Sequence, residues 1–171
     1  MSTNGGVANQ VLGGYWIRGN AIDGTNVYFQ PYGSWNVLRY NLGSGAVISL
    51  ITGNTGDVGL FLDDNNVYCN TGGNIQKVSK NGGIVKTLVN STNAVGGVSD
   101  GVNVYFVDNG AIQFIPVTGG TITTLVAPGS FGGLAVDSTH LYYIDGSGPA
   151  GAAKILKIPL PVTKVNQTAP R

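Results

Sequence analysis

The stretch GLAVDSTHLYYIDG, Gly133 to Gly146, holds a glycine, a short apolar run, an aspartate that opens a turn, and a second apolar run carrying tyrosine. It recurs as GNAIDGTNVYF from Gly19, GLFLDDNNVYC from Gly59 and GGVSDGVNVYF from Gly96. In every copy a glycine stands four residues before the aspartate and a tyrosine five after it: Gly19/Asp23/Tyr28, Gly59/Asp63/Tyr68, Gly96/Asp100/Tyr105 and Gly133/Asp137/Tyr142. Successive copies are 40, 37 and 37 residues apart, a period that belongs to solenoids, propellers and arrays.

The rest of the period repeats too. GAIQFIPVTGGTITTLV (Gly110 to Val126) matches GNIQKVSKNGGIVKTLV (Gly73 to Val89), anchored at Ile75/Ile112, Val78/Ile115 and Gly82-Gly83/Gly119-Gly120. The first copy follows loosely as WNVLRYNLGSGAVISLI, and the fourth supplies AKILKIPL before the pattern stops. One period thus holds four short β-type runs, a to d; four strands of about five residues with connections of about four fill it. The a–b connection carries Asp and turn residues. The c–d connection carries Asn81-Gly82 or Thr118-Gly119-Gly120, where positive φ is cheap. These are meander hairpins, not βαβ crossovers.

In run b, Val104 and Phe106 point to one face and Tyr105 to the other. Both faces are apolar, so each sheet must be covered on both sides, which sheets stacked around an axis achieve. The expected fold is an all-β, four-repeat β-propeller. It is expected as a single domain over 1–171, with repeat cores 19–58, 59–95, 96–132 and 133–160. GGVANQVLGG near the start resembles GGTITTLVAPG from a later repeat, so 1–18 is expected to supply the outer strand that closes the last blade with the C-terminal strands. Gly96-Gly97 and Gly132-Gly133, on inner strands, are expected to permit close backbone approach.

Charged residues make up 10% of the chain, and every acidic one is Asp. The nine Lys and Arg are scattered, so no basic stripe points to nucleic acid. No apolar run approaches the roughly 18 residues of a membrane helix. Low charge with abundant Asn, Gly and Thr suits a secreted, extracellular or periplasmic protein. Cys69 is alone and excludes an internal disulfide.

On Asp100, Val104, Tyr105, Ile112, Ile115, Pro116, Gly119, Gly120, Leu125 and their counterparts, the chain resembles the NHL- and YWTD-type propeller repeats. It is most similar to the short repeats of secreted bacterial propellers. The resemblance spans nearly the whole chain and implies a ligand-binding, scaffolding or occasionally lyase module. Relatives of this kind close with more than four blades, which implies here a small ring, a fragment, or half of a larger ring completed by association.

Asp23, Asp63, Asp100 and Asp137 can be read as an acidic or metal-binding ring, but each opens an a–b turn where an Asp carboxylate accepts backbone N–H groups. His140, the one histidine, stands where the other copies have Asn26, Asn66 and Asn103, all types that tolerate left-handed backbone; it reads as a turn residue. Cys69 aligns with Phe29, Phe106 and Tyr143 and reads as core. Tyr28, Tyr68, Tyr105 and Tyr142 read as core packing and not as a binding ladder. No catalytic residue, metal or cofactor is expected.

Aromatics outside the repeat pattern form the candidate ligand site. Tyr15 and Trp16 lie in a d–a connection, Tyr32 and Trp35 in a b–c connection, and Phe131 in another d–a connection, with Asn54, Asp57 and Asp145 nearby. Such a set can stack on a sugar or meet a protein; alternatively Trp16 and Trp35 plug the first blade. The reading is a secreted, non-enzymatic module for a glycan or protein ligand. The alternative is a structural unit, monomeric or a homo-oligomer completing a larger ring; a lyase is disfavoured by the scarcity of His and Glu.

Overall fold

A computed structural model of the chain describes residues 10–34, 36–53, 58–149 and 152–161. It divides into two compact units, Met1–Val95 and Gly96–Arg171. In the first unit β1 (Ile17–Ile22), β2 (Asn26–Pro31), β3 (Val37–Asn41) and β4 (Val47–Ile51) form one antiparallel sheet. A second sheet holds β5 (Val58–Leu62), β6 (Asn66–Thr71), β7 (Asn74–Ser79) and β8 (Lys86–Val89). The second unit holds the sheet of β9 (Val95–Ser99, entered from the first unit), β10 (Asn103–Asp108), β11 (Ala111–Pro116) and β12 (Thr123–Val126). It also holds a three-stranded sheet of β13 (Phe131–Val136), β14 (His140–Asp145) and β15 (Lys154–Pro159).

Every sheet is a meander in chain order, the blade of a propeller, and the four share one register. Across the b–c pair, Tyr28 faces Arg39, Tyr68 faces Lys77, Tyr105 faces Phe114 and Tyr142 faces Lys157. The c–d ladder slips at the same place in the first three repeats, after Val37, Ile75 and Ile112. The c–d glycines adopt the conformation expected of them, with φ of 85° and 116° at Gly82-Gly83 and 90° and 129° at Gly119-Gly120. Gly72-Gly73 and Asn109-Gly110 close the second and third b–c hairpins with φ positive at both positions, the two-residue turn whose twist matches its strands.

Each aspartate does more than open a turn. One carboxylate oxygen accepts the N–H of the second and third residues beyond it: Thr25 and Asn26 at 3.1 and 2.9 Å, Asn65 and Asn66 at 2.8 and 2.7 Å. Asp100 receives Val102 and Asn103 at 2.8 and 2.6 Å, and Asp137 receives Thr139 and His140 at 2.7 and 2.8 Å. The other oxygen accepts the tyrosine hydroxyl five residues on, at 2.8 Å for Tyr28, Tyr105 and Tyr142 and 2.5 Å for Tyr68. Tyr28, Tyr68 and Tyr105 are fully buried, so the carboxylate ties a turn at the rim to a ring in the interior. Asn26, Asn66, Asn103 and His140 begin the b strands with their N–H groups on this carboxylate. They are not left-handed, as their residue types suggest; among the described residues Asn109 is the one non-glycine at positive φ.

In the first unit Tyr28, Val37, Leu50 and Ile51 of one sheet pack on Val67, Cys69 and Val78 of the next. Cys69 is thus core. In the second unit Tyr105, Val107 and Ile112 pack on Leu141, with Leu134, Val136 and Ile158 alongside. Full burial of a residue such as Ile112 contributes roughly 1.5–3 kcal/mol. An Arg39 N–H to the Lys80 carbonyl (2.6 Å) and a Lys80–Asp23 ion pair (3.1 Å) add polar ties between the first two repeats.

Two expectations change. Residues 10–16 form no strand, and 1–9, the rest of the expected closing strand, lie outside the described residues. The inner-strand glycines are not set by backbone crowding: a Cβ at Gly96 or Gly133 meets nothing within 4 Å, and one at Gly132 meets the Ile144 side chain at 3.1 Å. Gly96 instead answers to its φ of 63°.

Burial alone would raise the Asp23 and Asp63 carboxyls, but hydrogen bonds from Tyr28 and Lys80, and from Tyr68, together with backbone N–H groups, outweigh it and hold both below the usual range. The Thr139 and His140 N–H groups do the same for Asp137. Burial, then the bond to Asp, raises the Tyr28 and Tyr105 hydroxyls. A carboxyl depressed in the folded state stabilises the fold above its unfolded pKa, and that contribution is lost as pH falls through the folded value. Melting temperature is therefore expected to hold from neutral pH down to about 4.5 and then drop, and an Asp63→Asn variant, weaker at pH 7, to show a smaller acid loss. A melting temperature that stays flat down to about pH 2.5 would contradict this account. Tyr105→Phe keeps the ring and deletes the donor; urea unfolding should show a loss of about 1–2 kcal/mol. Tyr142→Phe, on an exposed latch, should lose less, and equal losses would mean that the hydroxyl bond gains nothing from burial.

Candidate functional site

Of the first three repeats the first is the long one, and its b–c connection accounts for the difference. Residues 32–36 separate β2 from β3, where Gly72-Gly73 and Asn109-Gly110 suffice in the next two repeats. In a repeat array, insertions confined to one kind of loop decorate one face, commonly the binding face. This loop and the chain entering β1 bring Trp16 and Tyr32 together. The Tyr32 N–H donates to the Trp16 carbonyl (2.5 Å), the ring centroids are 6.2 Å apart and tilted by 48°, and the Arg18 guanidinium lies 4.2 Å above the Tyr32 ring. Trp16 is 82% exposed and Tyr32 57%. Trp16 is therefore no plug of the first blade: it is a large apolar ring held at the surface by a fixed backbone.

Tyr15 adjoins them, 42% exposed, with its ring edge-on to buried Phe29 at 5.4 Å. It anchors the segment that carries Trp16. Trp35, Asn54 and Asp57 lie outside the described residues. Arg18 is not among the expected site residues, since by sequence it counts only as one scattered cation. Arg18 sits at an irregularity of the β1–β2 ladder between Ile17 and Gly19, which nothing in its sequence neighbourhood signals.

Phe131 and Asp145 belong to the second unit, and neither is a free loop residue. Phe131 is the first residue of β13, not part of a loop; it meets Tyr143 edge-on at 5.4 Å and joins the core. Asp145 faces Phe131 in register and accepts the Ser147 hydroxyl and N–H at 2.5 and 2.9 Å, bonds that hold its carboxyl below the usual range. It closes a turn. The same is true of the candidates for chemistry: both oxygens of the four repeated carboxylates serve their own turns, and the His140 ring bonds the Thr139 hydroxyl at 2.8 Å. What remains at the surface is an indole, a phenol and a guanidinium, groups that stack and donate hydrogen bonds.

No protein-family model and no curated protein sequence matches the chain. Solved structures do, and they are β-propellers. A chain in the crystal structure of a nidogen/laminin complex superposes with a TM-score of 0.65 at 23% identity, over 83% of this chain and 60% of that one. BamB from Moraxella catarrhalis gives 0.62 at 14% identity, over 82% of this chain and 41% of that one. The computationally designed Ika4 protein gives 0.68 at 13% identity, over 89% of this chain and 99% of that one. The chain thus spans less than two thirds of each of these two natural proteins. At these identities the likeness shows the fold, an all-β propeller built from four repeats.

Proposed function

We propose that this chain is a secreted, non-enzymatic recognition module whose ligand, a protein, is met by Trp16, Tyr32 and Arg18. The observation that carries the reading is the exposure of Trp16 combined with its fixed backbone. Holding a large ring in water offers the fold little stabilisation, whereas a partner that covers it gains its whole apolar area. Trp, Tyr and Arg are also the three residue types that dominate binding energy at protein interfaces. The propeller that superposes at 23% identity was crystallised in a nidogen/laminin complex, which agrees with a recognition role. A glycan is the second reading, favoured by the open face of Trp16, against which a sugar ring can stack.

A surface-displayed library of secreted-protein fragments and a glycan array, probed side by side with wild type, Trp16→Ala and Arg18→Ala, separate the two. The expected result is saturable binding to protein fragments that weakens at least about tenfold in each variant with the melting temperature unchanged. Binding on the array alone, lost in Trp16→Ala, would move the ligand to the glycan class. Binders indifferent to both substitutions would remove the site.

A further inference from the structure

We infer that Asn81 is a modification site, an amide that the fold leaves free to cyclise and lose ammonia, and that its conversion weakens the polar tie between the first two repeats. The inference is independent of the ligand read above. It starts from the Asn-Gly steps, where a glycine without a side chain lets its main-chain nitrogen approach the amide before it. There are three, at Asn4, Asn81 and Asn109; the first lies outside the described residues.

The fold treats the other two differently. Cyclisation has to turn the peptide that joins Asn to Gly. At Asn109 that peptide is the middle of a two-residue hairpin turn, with φ of 49° and 76°, clamped by the ladder pair of Asp108 and Ala111. The Gly110 carbonyl accepts the Gly129 N–H at 3.0 Å, and the Asn109 amide donates to the Asp108 carboxylate at 3.3 Å. Turning it breaks the hairpin. Asn81 instead lies in residues 80–85, which join β7 to β8 outside both ladders. Its side-chain amide has no hydrogen-bond partner among the described residues. The joining peptide is held by one turn bond, from the Gly82 N–H to the Ser79 carbonyl at 2.8 Å. There is room to move: a Cβ at Gly83 meets nothing within 4 Å, and one at Gly82 meets only the tip of Leu50 at 3.9 Å. The turn does not require asparagine either, since Thr118 holds the same place in the third repeat, where the Gly119 N–H reaches the Pro116 carbonyl at 2.8 Å.

In the reaction the Gly82 nitrogen gives its proton to solvent base and bonds to Cγ of Asn81, the Cγ–Nδ2 bond breaks, and ammonia leaves. Water then opens the cyclic imide at either carbonyl, giving aspartate or isoaspartate, with no change of oxidation state. Isoaspartate adds a methylene to the main chain directly after Lys80. The Lys80 carbonyl is the acceptor of the Arg39 guanidinium at 2.6 Å, and the Lys80 ammonium pairs with Asp23 at 3.1 Å. The product displaces the first group and offers the second a competing carboxylate.

The test is to hold the folded chain in mildly alkaline buffer and follow isoaspartate by enzymatic methylation and mass in tryptic peptides; cleavage after Lys86 places Asn81 and Asn109 in different ones. Asn81 should convert at least about tenfold faster than Asn109, and the two rates should converge in urea, where local opening no longer limits either. The converted chain should melt below fresh protein, whereas Asn81→Gln, whose larger ring closes far more slowly, should keep its melting temperature through the same treatment. Asn109 converting as fast as Asn81 in the folded chain overturns the inference, as does a ratio that is the same folded and in urea. So does a converted chain that melts like fresh protein, or an equal fall in Asn81→Gln.

Discussion

The carboxylate of the repeated aspartate is the constraint from which the rest of each blade follows. A tight a–b hairpin leaves backbone N–H groups pointing inward with no strand partner, and burying them unsatisfied is costly. One Asp oxygen takes two of them; the other takes the hydroxyl of a tyrosine whose ring lies between sheets. The turn is thereby closed and the b strand fixed in translation along its own axis. Because the ring then sits at one height, the residues packed around it, Val37 and Ile51 in the first unit and Ile112 in the second, find the same environment each time. The arrangement also solves the usual difficulty of a buried phenol, which needs an acceptor within reach of its apolar site. In the first repeat the device extends outward, since Lys80 of the second repeat pairs with the same Asp23 carboxylate and so couples one blade's turn to the next blade.

Much of this was legible because it is written in spacing. The interval from Asp to Tyr is the reach of a hairpin turn plus the tyrosine side chain, so it recurs without drift, and the paired glycines mark turns that other residues enter only with strain. What spacing does not carry is which atoms meet. Tyrosine recurring on an enclosed strand suggests packing, and packing is present, but the hydroxyl bond to Asp depends on the direction of the side chain along the strand. Likewise Asn and His at the strand start look like left-handed turn residues by type, whereas their role is to offer a backbone N–H, which any non-proline residue can do. Phe131 looks like loop because it precedes the repeat's glycine; the strand begins earlier there, and the ring is drawn onto Tyr143.

The candidate site was legible only in part, for a related reason. Trp16 and Tyr32 depart from the repeat pattern, and departures from a periodic scaffold are where function is free to vary. Their exposure, however, is decided by the path of the chain around Tyr32, in a b–c connection longer than those of the second and third repeats, and loop paths answer to tertiary contacts more than to local sequence. Arg18 escapes a sequence reading because a cation on a strand ordinarily means a solvated face. Only the position of its guanidinium over the Tyr32 ring separates it from the other scattered charges.

A blade of this kind has two unlike faces: one presents the tyrosine and the apolar start of strand c, the other presents the residues that cover them in the blade before. Covering one face of a blade therefore takes the opposite face of another. Where the covering is seen, within each unit, it repeats: Val67, Cys69 and Val78 lie against Val37, and Leu141 lies with Tyr105 and Ile112. The physical reason is the one that shapes every blade: a sheet apolar on both faces is stable only when both are covered.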